Sequence, residues 1–356
     1  MNYEIKLHTL TPVHIGCDDS YTPVEFIIDT DRNTLIQFDL FEFIENLSPE
    51  EWQEFNSIAS NPSPIALVHI YRFYSKMKGK IKGRELPIPN ELSKRYTEVK
   101  QLKNDRDMLK GFNEFEIPRT FYNPYTLEPI VPGSSIKGSL RTAFVEALIK
   151  EHDRNRLERK EYNQIEEELL GGKMQKDPFR LLKISDFEPE NSVKTKILYQ
   201  INVRKERETS RESLSIPIEV IPEGALFRGT IKIESPIEGS GIRKSIEFKD
   251  LLLKSHSHYA KIFNKEIDLR KIKNFKLPNI TQFRDGLKEK YFILRIGKHS
   301  GAEAVTWEGL RKIRVRTREG IQRRSESTTI WLASQEKKPK SFINAMPFGW
   351  VMLEVC

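Results

Sequence analysis

An α+β fold in two similar units is what this sequence predicts, and three observations predict it. The chain, 356 residues long, can hold two hydrophobic cores. Runs of two-residue apolar period recur along it, separated by segments of helical period. A strand-like run also leads twice into Ser/Thr-Pro and a glycine turn, at His8-Thr-Leu-Thr-Pro-Val-His-Ile-Gly16 and at Lys232-Ile-Glu-Ser-Pro-Ile-Glu-Gly239. A tandem duplication of one α+β unit leaves such an echo, with a boundary near Glu223-Gly224 and units 1–222 and 223–356.

The elements follow in order. Residues 3–10 alternate as a first strand, 24–28 and 35–38 read as a hairpin, and 41–58 read as one helix opened by the capping carboxylate of Asp39. Residues 60–118 are lysine-rich and helical or irregular, the composition of an insertion. Residues 132–150 combine a glycine-rich loop with a helix whose inner face is Leu140, Ala143, Phe144, Ala147 and Leu148. The charged run 150–168 reads as a solvated helix. Strands recur at 197–203, 216–220, 226–233, 291–296 and 343–355, the first two flanking the tip of a long hairpin.

The densest functional signal is Pro132-Gly-Ser-Ser-Ile-Lys-Gly-Ser-Leu-Arg141. Gly133 and Gly138, with Ser134, Ser135 and Ser139, stand at a helix start, where backbone N–H groups point outward and the helix dipole favours an anion. Lys137 and Arg141, four residues apart, place cations on one face beside those amides. The spacing of Gly133 and Gly138 is that of a nucleotide P-loop, yet Ser139-Leu140 occupies the place of the required Lys-Ser/Thr, which excludes a nucleoside triphosphatase. On the residues alone, a serine-capped helix after a Pro-Gly turn is an equal alternative.

Charge points the same way. Lys and Arg number 59 against 51 Asp and Glu, a formal charge of +8, which suits a polyanionic partner. Three clusters carry it. Residues 71–84 interleave Tyr71, Phe73 and Tyr74 with Arg72, Lys76, Lys78, Lys80, Lys82 and Arg84, a pattern shared by single-strand binders and by ordinary solvated basic loops. Arg314, Arg316 and Arg318 alternate with Ile313, Val315 and Thr317 as one basic face of a strand or ribbon. Residues 202–211 place Arg204, Lys205, Arg207 and Arg211 at the hairpin tip. With only Cys17 and Cys356, no signal-peptide pattern and no long apolar run, a reducing cytoplasm is the expected location and neither a disulfide framework nor a membrane partner is expected.

Five segments occur in a set order: 11–16 (Thr-Pro-Val-His-Ile-Gly), 132–141, 177–186 (Asp-Pro-Phe-Arg-Leu-Leu-Lys-Ile-Ser-Asp), 219–227 (Glu-Val-Ile-Pro-Glu-Gly-Ala-Leu-Phe) and 294–301 (Leu-Arg-Ile-Gly-Lys-His-Ser-Gly). Together they resemble the RAMP superfamily, in particular its family of fifth subunits of type III-A CRISPR Csm effector complexes, over nearly the whole chain. The resemblance implies tandem ferredoxin-like (RRM-like) RAMP domains, with a helical insertion at about 60–118 and a β-hairpin at about 197–220. It also implies a subunit that binds CRISPR RNA (crRNA), caps the backbone filament near the crRNA 3′ end and contributes to crRNA maturation. The implied partners are crRNA, the backbone RAMP subunit and other Csm subunits, with a separate host nuclease for 3′ trimming left open. The residues expected on RNA are His14, Gly16, Gly133, Ser134, Ser135, Lys137, Gly138, Arg141, Arg204, Lys205, Arg207, Arg211, Gly297, Lys298, His299, Ser300 and Gly301. The chain has no Gly-Phe/Tyr-Gly-Phe run, so recognition is expected through backbone phosphates and not through base stacking on a sheet.

Other chemistries have weaker footing. His8 and His14, with Lys137 nearby, would make a metal-independent processing ribonuclease, the alternative to a non-catalytic role. Asp18-Asp19 could attract magnesium but reads as a polar turn, and His256-x-His258 lacks the further ligands of a zinc site. No cofactor and no metal are expected.

Overall fold

The computed structural model describes residues 1–206, 215–243, 245–317 and 320–356, the side chains of Arg316 and Thr317 lying outside that description. Ile5 and Leu7 alternate with Lys6 and His8, so the strand Asn2–Thr9 turns one face to the core. It lies antiparallel between Leu226–Ile233 and Trp350–Val355. Tyr291–Arg295 extends the sheet beyond Trp350–Val355, while Leu182–Ile184 and Glu188–Pro189 pair with the far side of Leu226–Ile233.

Two helices cover this sheet. Gly133–Lys150 and the 26-residue Phe248–Lys273 pack against each other, sharing one core with Phe227, Phe292 and Trp350. Burying each such large apolar side chain contributes about 1.5–3 kcal/mol. In chain order, Asn2–Thr9, Gly133–Lys150, Leu182–Ile184, Leu226–Ile233, Phe248–Lys273 and Trp350–Val355 follow a β-α-β-β-α-β sequence. The long helix 248–273 has no counterpart among the predicted elements.

A second sheet orders Ile216–Val220, Lys196–Arg204, Thr329–Ser334 and Met346–Pro347. Both larger sheets take strands from either side of residue 223. The two echoing segments leave neighbouring antiparallel strands of a single sheet, Asn2–Thr9 and Leu226–Ile233.

Several boundaries differ from the sequence expectation for local reasons. The helix expected over 41–58 is two, Leu40–Glu45 and Pro49–Ala59, because Ser48 and Glu51 form a capping box and Pro49 starts a new first turn. The charged run 150–168 likewise splits into Arg154–Leu157 and Tyr162–Leu170, each with its own cap, and buries Leu157, Ile165 and Leu169. Residues 343–355 split at Gly349, whose φ of 85° turns the chain. Asp18 and Asp19 lie in the strand Gly16–Tyr21, not in a turn.

The insertion is woven into sheets. Beside helices Ala66–Lys76, Asn90–Lys100 and Asp105–Phe112 it supplies Arg84–Pro87, the third strand of a sheet with Phe26–Asp29 and Thr34–Gln37. Its last strand, Ile117–Thr120, pairs with Gly16–Tyr21. The interleaved cluster 71–84 is not a base-stacking surface: Tyr71, Phe73 and Tyr74 are buried. Its cations Arg72, Lys76, Lys78, Lys80 and Arg84 pair with Asp105, Glu54, Asp29, Glu51 and Glu219.

Candidate nucleic-acid interface

Segments 11–16, 219–227 and 294–301 meet at the Thr9 end of the main sheet, whereas 177–186 pairs with Ile231–Ile233 toward the other end and contacts the 132–141 helix through Asp186 and Leu182. The exit of the first strand, residues 11–16, is fastened on several sides: Val13 bridges Ile221, Gly349 N–H donates to the Pro12 carbonyl at 3.0 Å, and Lys298 N–H donates to the His14 carbonyl at 2.8 Å. Gly297 makes that last contact achievable. Its φ is 80°, and a Cβ there would lie 2.5 Å from the His14 carbonyl oxygen, so any side chain would push the two segments apart. Gly16 is exposed, and a Cβ built on it would sit 3.9 Å from both His14 Nε2 and Lys298 Cδ. The Lys298 side chain is exposed and, among the described residues, has no ion-pair partner. These residues form a small basic notch.

His14 is 1% exposed, and its Nδ1–H donates to the Glu219 carbonyl at 2.7 Å, leaving Nε2 unprotonated. Burial lowers its pKa to about 4, with the nearby Lys298 charge adding to the effect against the opposing Glu219 bond. His299, at φ 67°, packs near His14, Trp331 and Phe348, and burial together with His14 and Lys298 lowers its pKa to about 3. Both rings are neutral at physiological pH. Ser300 is buried, and Gly301 follows at φ 86°.

The 132–141 segment corrects the sequence expectation of a loop. Gly133–Lys150 is helical from its first glycine, with extended Pro132 as N-cap residue. The Asp186 carboxylate accepts the Gly133 N–H at 2.8 Å, in place of a side-chain cap on the helix itself. Gly133 is needed for packing, since a Cβ would lie 2.4 Å from the Ile184 carbonyl oxygen and 2.6 Å from that of Ser185. Gly138 meets nothing within 4 Å. Ser134 and Gly138, one turn apart, are exposed, with Ser135 half-buried beside them. Ser139 Oγ donates to the Arg295 carbonyl at 2.8 Å, which ties this helix to the strand leading into 297–301.

Lys137 and Arg141 do not stand free beside outward amides. Lys137 Nζ donates to the Leu182 carbonyl at 2.8 Å, and partial burial lowers its pKa. Arg141 is held by Glu166 and Asp177, each at 2.6 Å. Lys205 is paired with Glu303 at 2.8 Å, whereas Arg204 is exposed at the strand end. Arg207 and Arg211 lie outside the described residues.

Two positions that organise the notch escaped the sequence analysis. Glu219, 1% exposed, accepts from Thr195 Oγ1 at 2.5 Å, Arg84 Nη2 at 3.0 Å and Thr120 N at 3.1 Å. Its signal was a lone acid set among the apolar residues Ile218, Val220 and Ile221. Trp331 lies in the strand Thr329–Ser334, which was not predicted. As to metals, Asp19 accepts from Arg119 at 3.0 Å and Tyr122 at 2.8 Å, and among the described residues no group of three or more His, Cys, Asp or Glu could hold an ion.

Comparison with known proteins identifies the family. A profile of the RAMP superfamily matches residues 6–338. The chain belongs to the RAMP superfamily. Within it, the chain is 27% identical over 267 residues to the "CRISPR system Cms protein Csm5" of Streptococcus thermophilus, covering 70% of each protein. It is also 27% identical over 247 residues to the protein of that name from Methanocaldococcus jannaschii, covering 66% of this chain and about half, 52%, of the relative. Two solved structures share the fold. A chain in a cryo-EM structure of a Csm-crRNA-target RNA ternary complex of a type III-A CRISPR-Cas system aligns with a TM-score of 0.63 at 18% identity, covering 99% of this chain and 100% of that one. The crystal structure of T. onnurineus Csm5 aligns with a TM-score of 0.55 at 18% identity, covering 97% and 99%. This is therefore a Csm5-like RAMP protein.

Proposed function

We propose that this chain is a crRNA-binding, non-catalytic subunit of a type III-A CRISPR effector complex, capping the filament of RAMP backbone subunits near the crRNA 3′ end and contributing to crRNA maturation in antiviral defence. Its partners are crRNA, the backbone subunit and other Csm subunits. The observation that carries this is the meeting of segments 11–16, 219–227 and 294–301 at the Thr9 end of the sheet, with the 132–141 helix tied to them through Ser139 and Arg295; the β-α-β-β-α-β order supports a ferredoxin-like reading of that unit. There Gly16, Lys298 and the Ser134–Gly138 helix face are open to a phosphate backbone. Phosphate contacts of this kind position RNA without reading its sequence, as a guide-carrying complex requires. His14, Gly297, His299, Ser300 and Gly301 shape the surface, and Lys137, Arg141 and Lys205 hold it in place.

A ribonuclease using His14 is the less favoured function. A buried base with a pKa of about 4 is poorly matched to proton transfer at pH 7, and His8, its expected partner, is engaged by the Glu354 carboxylate at 2.7 Å.

The test is RNA retention by a reconstituted complex containing Lys298→Ala. Reduced crRNA occupancy with normal subunit assembly is expected, together with unchanged occupancy when the spacer sequence is altered. Full retention would remove the notch from RNA binding. Separately, the full-length chain with His14→Asn is compared with the parent on labelled repeat RNA, with and without magnesium. Cleavage by the parent that the variant loses would favour the nuclease.

A further inference from the structure

The strands Ile313–Thr317 and Gly320–Arg324 form a two-stranded ribbon that pairs with no other strand among the described residues. Isolated two-stranded ribbons are marginal in water, and like charges placed directly opposite each other weaken them further. Here the register sets Arg314 directly across from Arg323. Directly opposed residues project from the same face, with Cα atoms about 4.5–5.5 Å apart. Both arginines are exposed, and neither side chain forms an ion pair or hydrogen bond among the described residues. Arg324 is exposed on the same strand, its nearest partner the amide of Gln322 at 3.5 Å.

The roots of this ribbon are well fixed. On one side Trp307 packs on Tyr162, Tyr162 OH donates to the Leu310 carbonyl at 3.0 Å, and Arg154 donates to the Gly309 carbonyl at 2.7 Å. On the other, Ser327 N–H donates to Glu303 at 2.9 Å, and Lys205 N–H donates to the Thr328 carbonyl at 2.9 Å. The carboxylates around the roots already have cationic partners: Glu303 with Lys205, Glu326 with Lys265, Glu308 with Lys261 and Lys265, and Glu158 with Arg154. None of them neutralises Arg314 or Arg323. Sheet register further places exposed Arg204 opposite Thr329, at the foot of the ribbon. A rigidly rooted arm thus presents opposed guanidinium groups whose repulsion a bridging polyanion would relieve.

We propose that the 313–324 ribbon is a second RNA-contacting arm, separate from the 197–220 hairpin, in which Arg314 and Arg323 grip adjacent phosphates of an RNA strand. This rests on the RNA-binding function proposed above. Charge favours nucleic acid over an apolar partner, because the outer strand Gly320–Arg324 is exposed throughout and its only large apolar side chain is Ile321.

Arg323→Glu separates binding from structure. It sets a carboxylate opposite Arg314, which should keep or raise the stability of the ribbon while removing a phosphate contact. The full-length protein is titrated into a fluorescent single-stranded RNA and into the same RNA paired with its complement, at 50 and 200 mM salt. For a single strand each phosphate contact contributes about 0.7 to the salt slope, so Arg314→Ala/Arg323→Ala should shrink the affinity loss between those salts roughly sevenfold. Arg323→Glu should weaken binding at least as much with no loss of urea resistance. Equal losses on both RNAs place the arm on the guide backbone, and a loss confined to the duplex places it on the target strand. If the arm variants bind like the parent while Lys298→Ala weakens binding, the arm proposal fails and the function proposed above stands. If the parent binds neither RNA, alone or in the reconstituted complex, that function fails as well. If Arg323→Glu keeps RNA but loses a neighbouring subunit, the arm docks an acidic protein surface and the proposal is overturned.

Discussion

Replacing Gly138 and Gly133 by alanine, one at a time, separates the two roles that glycine plays in a single sequence motif. Gly138 lies inside the helix Gly133–Lys150 with nothing within 4 Å of an added Cβ, so alanine restricts the unfolded chain at no steric cost. It should stabilise the protein by roughly 0.5–1 kcal/mol. Gly133→Ala forces a methyl group to within 2.4 Å and 2.6 Å of two carbonyl oxygens and displaces the helix start from Asp186, whose bond to the Gly133 amide is 2.8 Å. Crowding of about 1–3 kcal/mol and a lost charge-assisted bond of about 1.5–3 kcal/mol sum to a destabilisation of about 4 kcal/mol. Urea denaturation of the full-length chain reads both values. Two shifts of the same sign, or a destabilised Gly138→Ala, would mean that 133–138 is not a helix. RNA titration of the stabilised Gly138→Ala variant then isolates function: weaker binding despite greater stability is expected where a phosphate approaches the bare backbone.

Three further outcomes follow from the same geometry. Gly297→Ala and Gly301→Ala should each destabilise the protein by about 1–3 kcal/mol of backbone strain, Gly297 at φ 80° with a Cβ 2.5 Å from the His14 carbonyl oxygen and Gly301 at φ 86°, ψ 153°, a region essentially restricted to glycine, although its Cβ would meet only the Glu303 carboxylate at 3.6 Å; an unchanged urea midpoint for either would refute the assigned backbone geometry. His14 and His299, held at about 4 and about 3 chiefly by burial, bind protons more weakly folded than unfolded. The stability they confer is complete above about pH 6.5 and falls as pH drops toward 4, by roughly 2 kcal/mol per histidine between pH 7 and 5. His14→Asn retains an N–H for Glu219 without titrating, so it should remove about half of that loss. Arg141→Ala leaves Glu166 and Asp177 without their shared cation and should cost about 1–3 kcal/mol, with less effect on RNA affinity than Lys298→Ala; a larger RNA effect would put Arg141 on the phosphate itself.

Local pattern made much of the chain legible. The period-two runs at 3–10, 216–220 and 226–233 are strands because alternation is a property of neighbouring residues, and Asp39 caps its helix for the same reason. The five ordered segments were legible as motifs, and at Gly133 and Gly297 the residue type is set by a contact that excludes any side chain. Charge clusters were harder to interpret. A run such as 71–84 reads as a basic surface until Asp29, Glu51, Glu54 and Asp105, distant in sequence, arrive beside it.

Sequence by itself determined the α+β class, the superfamily and the glycines at 16, 133, 138, 297 and 301. Only the tertiary structure decided which cations remain available. Lys137 and Arg141 look identical in kind to Lys298 in the sequence, yet Leu182, Glu166 and Asp177 engage the first two while Lys298 faces solvent. The sheets likewise join Asn2–Thr9 to Trp350–Val355, a pairing across almost the full chain that no local window contains. Helix and strand propensity act over a few residues, whereas a side chain's partner is set by where the backbone returns, so folding alone distinguishes an arginine that holds the structure from one that can hold RNA.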